Sequence, residues 1–482
     1  MNVYSRSRLR LLTVSILTVL VLFSSDSVPA QTQEPAKPTP EVEQLKQRLQ
    51  QLEQTVSDLK GQINAIEEAK KKETAPAAIV EAKYAVPPEA ANSPEPAPAE
   101  KRQDNGKGES TFTIYGFAML DAGYQFNQND PNWFDVIRPT KLPAFRDQFS
   151  PDGKTYYGVR QSRLGVKSTT PTKYGELKTQ FEFELFGTGV DAGQTTFRLR
   201  HAYGELGQFG AGQTWSPFMD IDVFPNSLEY WGPNGMVFFR NLQFRWMPLK
   251  GRNSVTLAVE RPGASGDQGV FADRIELQGI RPKFDLPDFS GNVRFTRDWG
   301  YFQAAGMIRR IKWVDTTVDQ FDLDGSEIGA GLNFTSNLKF TQNDTGRFAF
   351  VFGQGIQNYM NDAPVDIGIE LTPGGDPRRP IRGVALPMWS MVAFLDHNWN
   401  KRFSTAVGYS FLDIDNSNGQ SADAFHRGHY GLANLLFYPV DNVMVGGEFQ
   451  WGRRENFLDG FKSDDFRIQF SFRYNFSKTL TF

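Results

Sequence analysis

The chain has 482 residues, a formal charge of −3 at pH 7, 44 glycines, 41 phenylalanines and no cysteine. The lack of cysteine excludes disulfide scaffolds, zinc–thiolate sites and thiol nucleophiles. The near-neutral charge argues against nucleic acid as a partner, because nucleic-acid binders carry a strongly basic domain. The abundance of Phe and Gly favours β-strands joined by tight turns.

Residues 1–30 are predicted to be an export signal peptide. Arginines at the start precede an apolar core over residues 11–23, and Ala30 ends a small-residue cleavage site. The core is too short to span a bilayer, and no later stretch reaches the roughly 20 apolar residues that a spanning helix needs. A retained membrane anchor is the alternative. The signal predicts that the mature chain leaves the cytoplasm.

Residues 41–70 carry a heptad repeat that predicts a periplasmic coiled coil. Its apolar side chains are spaced alternately three and four residues apart, so all of them fall on one a/d seam. They are Val42, Leu45, Leu49, Leu52, Val56, Leu59, Ile63 and Ile66. The β-branched residues Val42 and Val56 at a positions, with Leu at d, favour a dimer. A single amphipathic helix packed on a domain is the alternative.

Residues 71–110 are rich in Ala, Pro, Glu and Lys and are predicted to form a disordered, extended linker. Such a composition buries too little apolar surface to offset the entropy lost on ordering. We therefore expect the coiled coil to be tethered to the remainder of the chain and not packed into it.

Residues 111–482 alternate between apolar and polar side chains over many short runs. In the last run Phe470, Phe472 and Tyr474 alternate with Ser471 and Arg473. A soluble β-sandwich also alternates, but charges recur deep within these runs, which suits a water-filled lumen. The pattern predicts an all-β fold, a transmembrane antiparallel β-barrel of about 16 strands. Long polar stretches at 357–386 and 413–427 are expected to be outer loops.

The end of the chain and several internal runs resemble outer-membrane porins. Phe482, in phase with Tyr474 and Phe476, resembles the terminal signal that the barrel-insertion machinery reads. Runs similar to general porins are TIYGFAMLDAGY (113–124), QSRLGVKS (161–168) and RHAYGELGQFGAGQTWSPF (200–218). With the signal, the heptad helix and the linker included, the chain resembles the DcaP-like trimeric porins, which are implicated in dicarboxylate uptake.

The resemblance implies a homotrimer in the lipid of the outer membrane of a Gram-negative-type bacterium, with the N-terminal segment in the periplasm. This trimer conflicts with the dimer that the a/d residues favour, although Leu49 at a and Ile66 at d weaken that preference. The expected function is passive diffusion of small hydrophilic solutes, with a preference for anions such as dicarboxylates. Two alternatives are a structural anchor whose coiled coil contacts the cell wall or a periplasmic partner, and a barrel-embedded hydrolase.

Selectivity is expected to come from charged side chains on the inward face of the strands. If the apolar residues of each run face lipid, the residues that alternate with them face inward. The bases at such inward positions are Arg163, Lys167, Lys178, Arg198, Arg200, Arg245, Arg294, Arg467 and Arg473. The corresponding inward acids are Asp121, Glu176, Glu182, Glu184, Glu260 and Glu448. Arg163, Arg198 and Arg200 are expected to form a positive column, since guanidinium groups stay ionised and pair well with carboxylates. The alternative is that these arginines pair with wall acids and brace the barrel.

Residues 216–235 resemble the loop that folds into a porin and narrows it. Its acids Asp220, Asp222 and Glu229 are expected to face the arginine column and to set a transverse field across the constriction. An ordinary surface loop is the alternative.

No catalytic set or cofactor motif is found in the sequence. His426 and His429 lie three positions apart, and in a strand this spacing places them on opposite faces, which disfavours a metal site. The sequence therefore predicts no metal, no cofactor and no enzymatic activity.

Overall fold

The computed structural model describes residues 108–482. The predicted signal peptide (1–30), the coiled coil (41–70) and the linker up to residue 107 lie outside the described residues and stay predictions. Among residues 108–482, no helix is long and apolar enough to cross a membrane.

Sixteen antiparallel strands close into one barrel in the described part of the chain. In chain order they are β1 (Thr111–Gln125), β2 (Lys154–Gly158 and Arg163–Thr172), β3 (Gly175–Phe186), β4 (Thr195–Leu206), β5 (Phe209–Trp215), β6 (Arg240–Leu249), β7 (Asn253–Glu260), β8 (Ile280–Pro282 and Asp288–Arg297), β9 (Gly300–Asp315), β10 (Gly325–Lys339), β11 (Asp344–Gln354), β12 (Pro387–Asn400), β13 (Phe403–Ile414), β14 (Phe425–Phe437), β15 (Val443–Asn456) and β16 (Lys462–Thr481). This confirms the predicted strand number.

Two of these strands are interrupted, and the barrel closes between its ends. Both pieces of β2 pair with β1, and both pieces of β8 pair with β9, so each pair of pieces makes one staggered strand. The last strand, β16, returns to pair with β1 from Thr111 opposite Thr481 to Gln125 opposite Arg467. Because the first strand pairs with the last, the described barrel has no terminal edge strand, as a sheet that crosses lipid requires.

The predicted alternation is seen directly in β16. Phe470, Phe472 and Tyr474 are exposed on the outer face, whereas Gln469 and Ser471 are buried on the inner face. Short turns such as those between β8 and β9 and between β14 and β15 lie at one end, and the long connections lie at the other. In outer-membrane barrels the short turns are periplasmic and the long loops extracellular.

The connection between β5 and β6 enters the barrel. Residues 216–239 form hydrogen bonds with inward side chains of ten strands, which only a segment inside the lumen can reach; two of these side chains are Glu260 of β7 and Arg347 of β11. The partners on the other eight strands are Asn292 of β8, Gln303 of β9, Asn333 of β10, Ser390 of β12, Ser410 of β13, Asn434 of β14, Glu448 of β15 and Gln469 of β16.

One side of the inner wall is largely apolar, although the alternation of the sequence predicts polar side chains on the inward face. Inward residues of β9 and β11–β14 form a buried cluster with the inserted segment and with residues 356–360. Val392, Leu412 and Leu432, for example, pack in this cluster with Phe218 and Phe238. These wall residues are apolar because protein covers them instead of water.

The outer loops carry structure of their own. The stretch 357–386 contains a hairpin of two strands, Ile367–Leu371 and Ile381–Ala385. Leu277, Leu323, Ile369 and Ile381 form a small apolar core among the loops. The predicted loop 413–427 is shorter than expected, because β13 extends to Ile414 and β14 begins at Phe425.

Candidate channel lumen

The inserted segment (residues 216–239) presents two of its acids to a single arginine. Arg294 of β8 contacts the Asp220 carboxylate at 2.6 Å and the Asp222 carboxylate at 2.5 Å. Tyr301 and Thr335 also donate hydroxyl hydrogen bonds to Asp220, at 2.7 and 2.6 Å. Asp220 is buried, whereas Asp222 remains half exposed. Asp222 is therefore the acid of the pair that a passing ion can approach.

The third acid of the segment, Glu229, is an internal anchor. Its carboxylate accepts hydrogen bonds from the backbone N–H groups of Ile137, at 3.1 Å, and of Gly232. Arg467 of β16 lies 3.6 Å away. Glu229 is fully buried, and this burial raises the pKa of its carboxyl to about 7. The expectation that Glu229 faces the arginine column across a constriction is wrong, because its carboxylate is buried and holds the fold of the segment.

The predicted positive column is a buried ion-pair cluster. Arg200 binds Glu182 and Glu184, each at 2.5 Å. Arg163 lies 3.6 and 3.7 Å from the same two carboxylates, and Arg198 lies 3.5 Å from Glu184. Arg200 and Arg163 have only 0% and 4% of their surface exposed. The expectation that these arginines stand opposite the acids of the inserted segment is therefore wrong.

Strand register explains this pairing. In β3 and β4, Glu184 lies opposite Arg198 and Glu182 lies opposite His201, so acids and bases meet across neighbouring strands. Arg240 joins the cluster at 3.6 Å from Glu184. In the sequence, Arg240 alternates in step with outward apolar residues of β6, so an outward position would be expected. Phe239, Arg240 and Asn241 are instead buried in succession, and the alternation of faces begins only after them. Arg163 and Arg200 therefore pair with acids of the wall and brace the barrel, which was the alternative to a role in selectivity.

Two further predicted lumen arginines are also buried. Arg467 is 0% exposed and donates to Gln450 at 2.6 Å. Arg473 is 3% exposed and lies over the ring of Phe117. Both therefore brace the wall, and their assignment as selectivity residues is corrected.

The remaining predicted lumen bases keep partial exposure. Lys167 lies beside the ring of Tyr115, and Arg245 donates to Gln243 and to the backbone oxygen of Trp215. Lys167, Arg198, Arg245 and Arg294 are half-buried. By contrast, five of the six predicted lumen acids are no more than 3% exposed: Asp121, Glu182, Glu184, Glu260 and Glu448. The sixth, Glu176, is exposed beside Lys178, at 3.2 Å, next to a short turn.

A polar cavity of about 350 Å³ lies near the short-turn end of β8–β11. Its lining includes Asp222 of the inserted segment together with Lys339 and Arg347. Arg347 also pairs with Asp396 at 2.5 Å. The sequence pattern missed Arg347, because the following run FAFVF (348–352) is apolar on both faces and hides the phase.

The C-terminal residues lie on the outer surface. Phe482 is 75% and Tyr474 49% exposed, and Phe476 is half-buried. The N–H of Phe482 donates to the backbone oxygen of Ser110 at 2.9 Å, which ties the last residue to the start of β1.

Comparison with known proteins identifies relatives of this barrel. The family model described as DcaP outer membrane protein matches residues 108–476. The outer membrane channel DcaP of Acinetobacter baumannii is similar in structure, with a TM-score of 0.63 and 18% identity over 78% of this chain and 100% of that chain. An anion-selective porin from Comamonas acidovorans has a TM-score of 0.50 and 12% identity over 76% of this chain and 100% of that chain. A comparison with curated proteins finds no match.

Proposed function

The chain belongs to the DcaP outer membrane protein family, and from this premise we propose that it is a passive diffusion channel that prefers small anions such as dicarboxylates. Solutes cross a water-filled lumen without any covalent step, and selectivity comes from width and electric field. The family places the protein in the outer membrane and supports a porin role; the preference for anions is the part that we propose.

The difference in exposure between inward bases and inward acids carries the proposal. Lys167, Arg198 and Arg245 on β2, β4 and β6 are half-buried, whereas five inward acids on other strands, Asp121, Glu182, Glu184, Glu260 and Glu448, are no more than 3% exposed. A unit charge 4 Å from an ion contributes about 1 kcal/mol in bulk water and more where solvent is partly excluded. Asp222 of the inserted segment is accessible but pairs with Arg294. On β2, β4 and β6 a permeating ion therefore meets more accessible positive than negative charge.

The buried arginine cluster supports the same preference. Within residues 108–482, Arg163, Arg198, Arg200 and Arg240 surround two carboxylates, those of Glu182 and Glu184. The arginines outnumber the glutamates, so the cluster adds a positive potential to the wall of β2–β6. Guanidinium groups at the edge of this cluster, such as Arg198, suit the planar carboxylates of a dicarboxylate.

Solute uptake tests the proposal. Liposomes that contain the full-length protein should admit a small dicarboxylate faster than a neutral sugar of similar size. The difference should shrink at high ionic strength, because salt screens the wall charges. Equal rates at low salt would contradict the anion preference, and an absence of both conductance and uptake would favour the structural anchor.

We also propose assembly as a homotrimer, with Phe482 read by the barrel-insertion machinery. The exposed ring of Phe482 at the end of β16 supports this role. Phe482→Asp should lower the outer-membrane level of the protein in cells while the purified variant, refolded in detergent, still conducts. A normal outer-membrane level would contradict recognition of Phe482. Native mass measurement on the full chain should give three copies.

A further inference from the structure

An apolar groove of about 820 Å³ runs along the outer face of β7–β11. Small side chains form its floor where bulky ones cover most of the outer wall. Gly291 of β8 lies opposite Gly306 of β9, and Ile308 of β9 lies opposite Ala330 of β10. Large apolar residues border the floor, including Leu257, Phe289, Ile308, Leu332 and Phe352. In a membrane, such a groove is the size and chemistry of a seat for an acyl chain.

A group of basic side chains stands directly above the groove, toward the long-loop end. Arg310 and Lys312 continue the outward phase of Ile308 along β9, so Arg310 lies about 7 Å beyond the groove residue Ile308 at strand spacing. Arg281 lies opposite Val314, which puts it on the outer face as well. The N–H of Lys283 donates to the backbone oxygen of Lys312 at 2.9 Å, so these two lysines are neighbours.

The acids around this basic group do not balance its charge. Asp285 is the acid within ion-pair distance, at 3.6 Å from Arg310 and 3.1 Å from Lys312. Asp288, the next acid along β8, is buried on the inner face. Arg281 and Lys283 are exposed, and Arg310 and Lys312 are half-buried. Four cations with one acid therefore face the rim of the membrane.

We infer that this part of the outer wall binds a phosphorylated glycolipid of the outer leaflet, with phosphate groups on Arg281, Lys283, Arg310 and Lys312 and one acyl chain in the groove. The long-loop end of the barrel is the extracellular side, so the occupant comes from the outer leaflet. An excess of three positive charges exceeds what one phosphodiester balances, and a headgroup with two phosphates matches it. Ammonium and guanidinium groups both bind phosphate through charge-assisted hydrogen bonds.

The site is tested with a purified bisphosphorylated glycolipid titrated onto the detergent-solubilised, delipidated full-length protein, with bound lipid counted by native mass spectrometry. One variant removes the charges, Lys283→Gln with Arg310→Gln and Lys312→Gln, and a second fills the groove, Ala304→Phe with Ala330→Phe. A matched control removes three cations from the short turns at the other end, Lys173→Gln with Lys250→Gln and Arg252→Gln. The substituted residues of all three variants lie on the outer face or in turns and not in the lumen. A variant that conducts like the parent protein in a planar bilayer is therefore correctly folded.

Each of the two site variants should weaken glycolipid binding by at least about tenfold, and the control should bind like the parent. Binding that is unchanged in both site variants would overturn the inference. So would equal competition by phosphatidylglycerol, which would mark a general anionic surface. One further result would overturn the inference: the groove-filled variant still binds glycolipid but changes its oligomer size. A second protein copy, and not an acyl chain, would then occupy the groove.

Discussion

The two sides of the lumen wall are built from different chemistry. The wall of β2–β6 holds arginines and glutamates in a shared ion-pair cluster, with Lys167 and Arg245 at its edge. The wall of β11–β14 is largely apolar and is covered by the inserted segment, where Phe218 and Phe238 are fully buried. One barrel thus joins a polar side that can guide ions to a dry side that positions the constricting segment. The difference shows that an inward-facing side chain of this barrel need not be in contact with water.

The largest expected effect is on the polar side. Arg200→Gln removes the closest partner of both Glu182 and Glu184, and loss of one member of a buried ion pair costs about 3–5 kcal/mol. The free energy of unfolding, measured by urea titration in detergent micelles, should fall by this amount. Arg252→Gln, which breaks an exposed pair with Asp298, should leave it nearly unchanged.

A double variant sharpens this prediction. Arg200→Gln together with Glu184→Gln removes a charge of each sign, so its cost should be smaller than the sum of the two single variants. Strict additivity would mean that the arginine and the glutamate act independently, and the polar wall would then be held by something other than their ion pair.

The apolar side should respond through packing and not through charge. Phe238 contacts Trp215 and Phe224 with ring-centre distances of 5.0 and 6.4 Å. Phe238→Ala should lower the free energy of unfolding by about 3 kcal/mol through the cavity that it leaves. Single-channel conductance should become larger or noisier as the inserted segment loosens, whereas the ratio of anion to cation permeability should stay close to that of the parent. A changed permeability ratio would show that the two sides are not separable.

Ionic strength gives a smaller effect that needs no mutation. Because the Debye length falls from about 30 Å at 0.01 M salt to about 3 Å at 1 M, the anion preference should decrease several-fold over this range. Reversal potentials in planar bilayers at a fixed salt ratio measure it. A preference that does not change with salt would point to selection by size and not by the charges of the polar wall.

The sequence predicted the barrel better than its lumen, and particular residues show why. Strand number depends on local signals, namely alternation and turn residues, and the sixteen-strand barrel follows from them. Side-chain pairing depends on strand register, so the contact of Arg200 with Glu182 and Glu184 could not be predicted from the phase of β4 alone. The inserted segment makes the inward face harder to recognise from the sequence. Inward residues that it covers, such as Val351 and Leu412, are apolar like the residues that face lipid. Burial of Arg163 and Arg200 removes both guanidinium groups from direct contact with solutes, and alternation along a strand carries no information about burial.

The central claim is that accessible cations on the polar wall set the preference for anions. Its most direct test is the reversal potential of the variant Lys167→Gln with Arg198→Gln and Arg245→Gln in a planar bilayer at low ionic strength. The matched control is the variant Lys173→Gln with Lys250→Gln and Arg252→Gln, which loses the same charge from the short turns. We expect the lumen variant to shift toward cation permeation by about tenfold in permeability ratio, because each charge contributes about 1 kcal/mol or less after screening. The control should keep the parental ratio. Equal reversal potentials in the lumen variant, the control and the parent would contradict it.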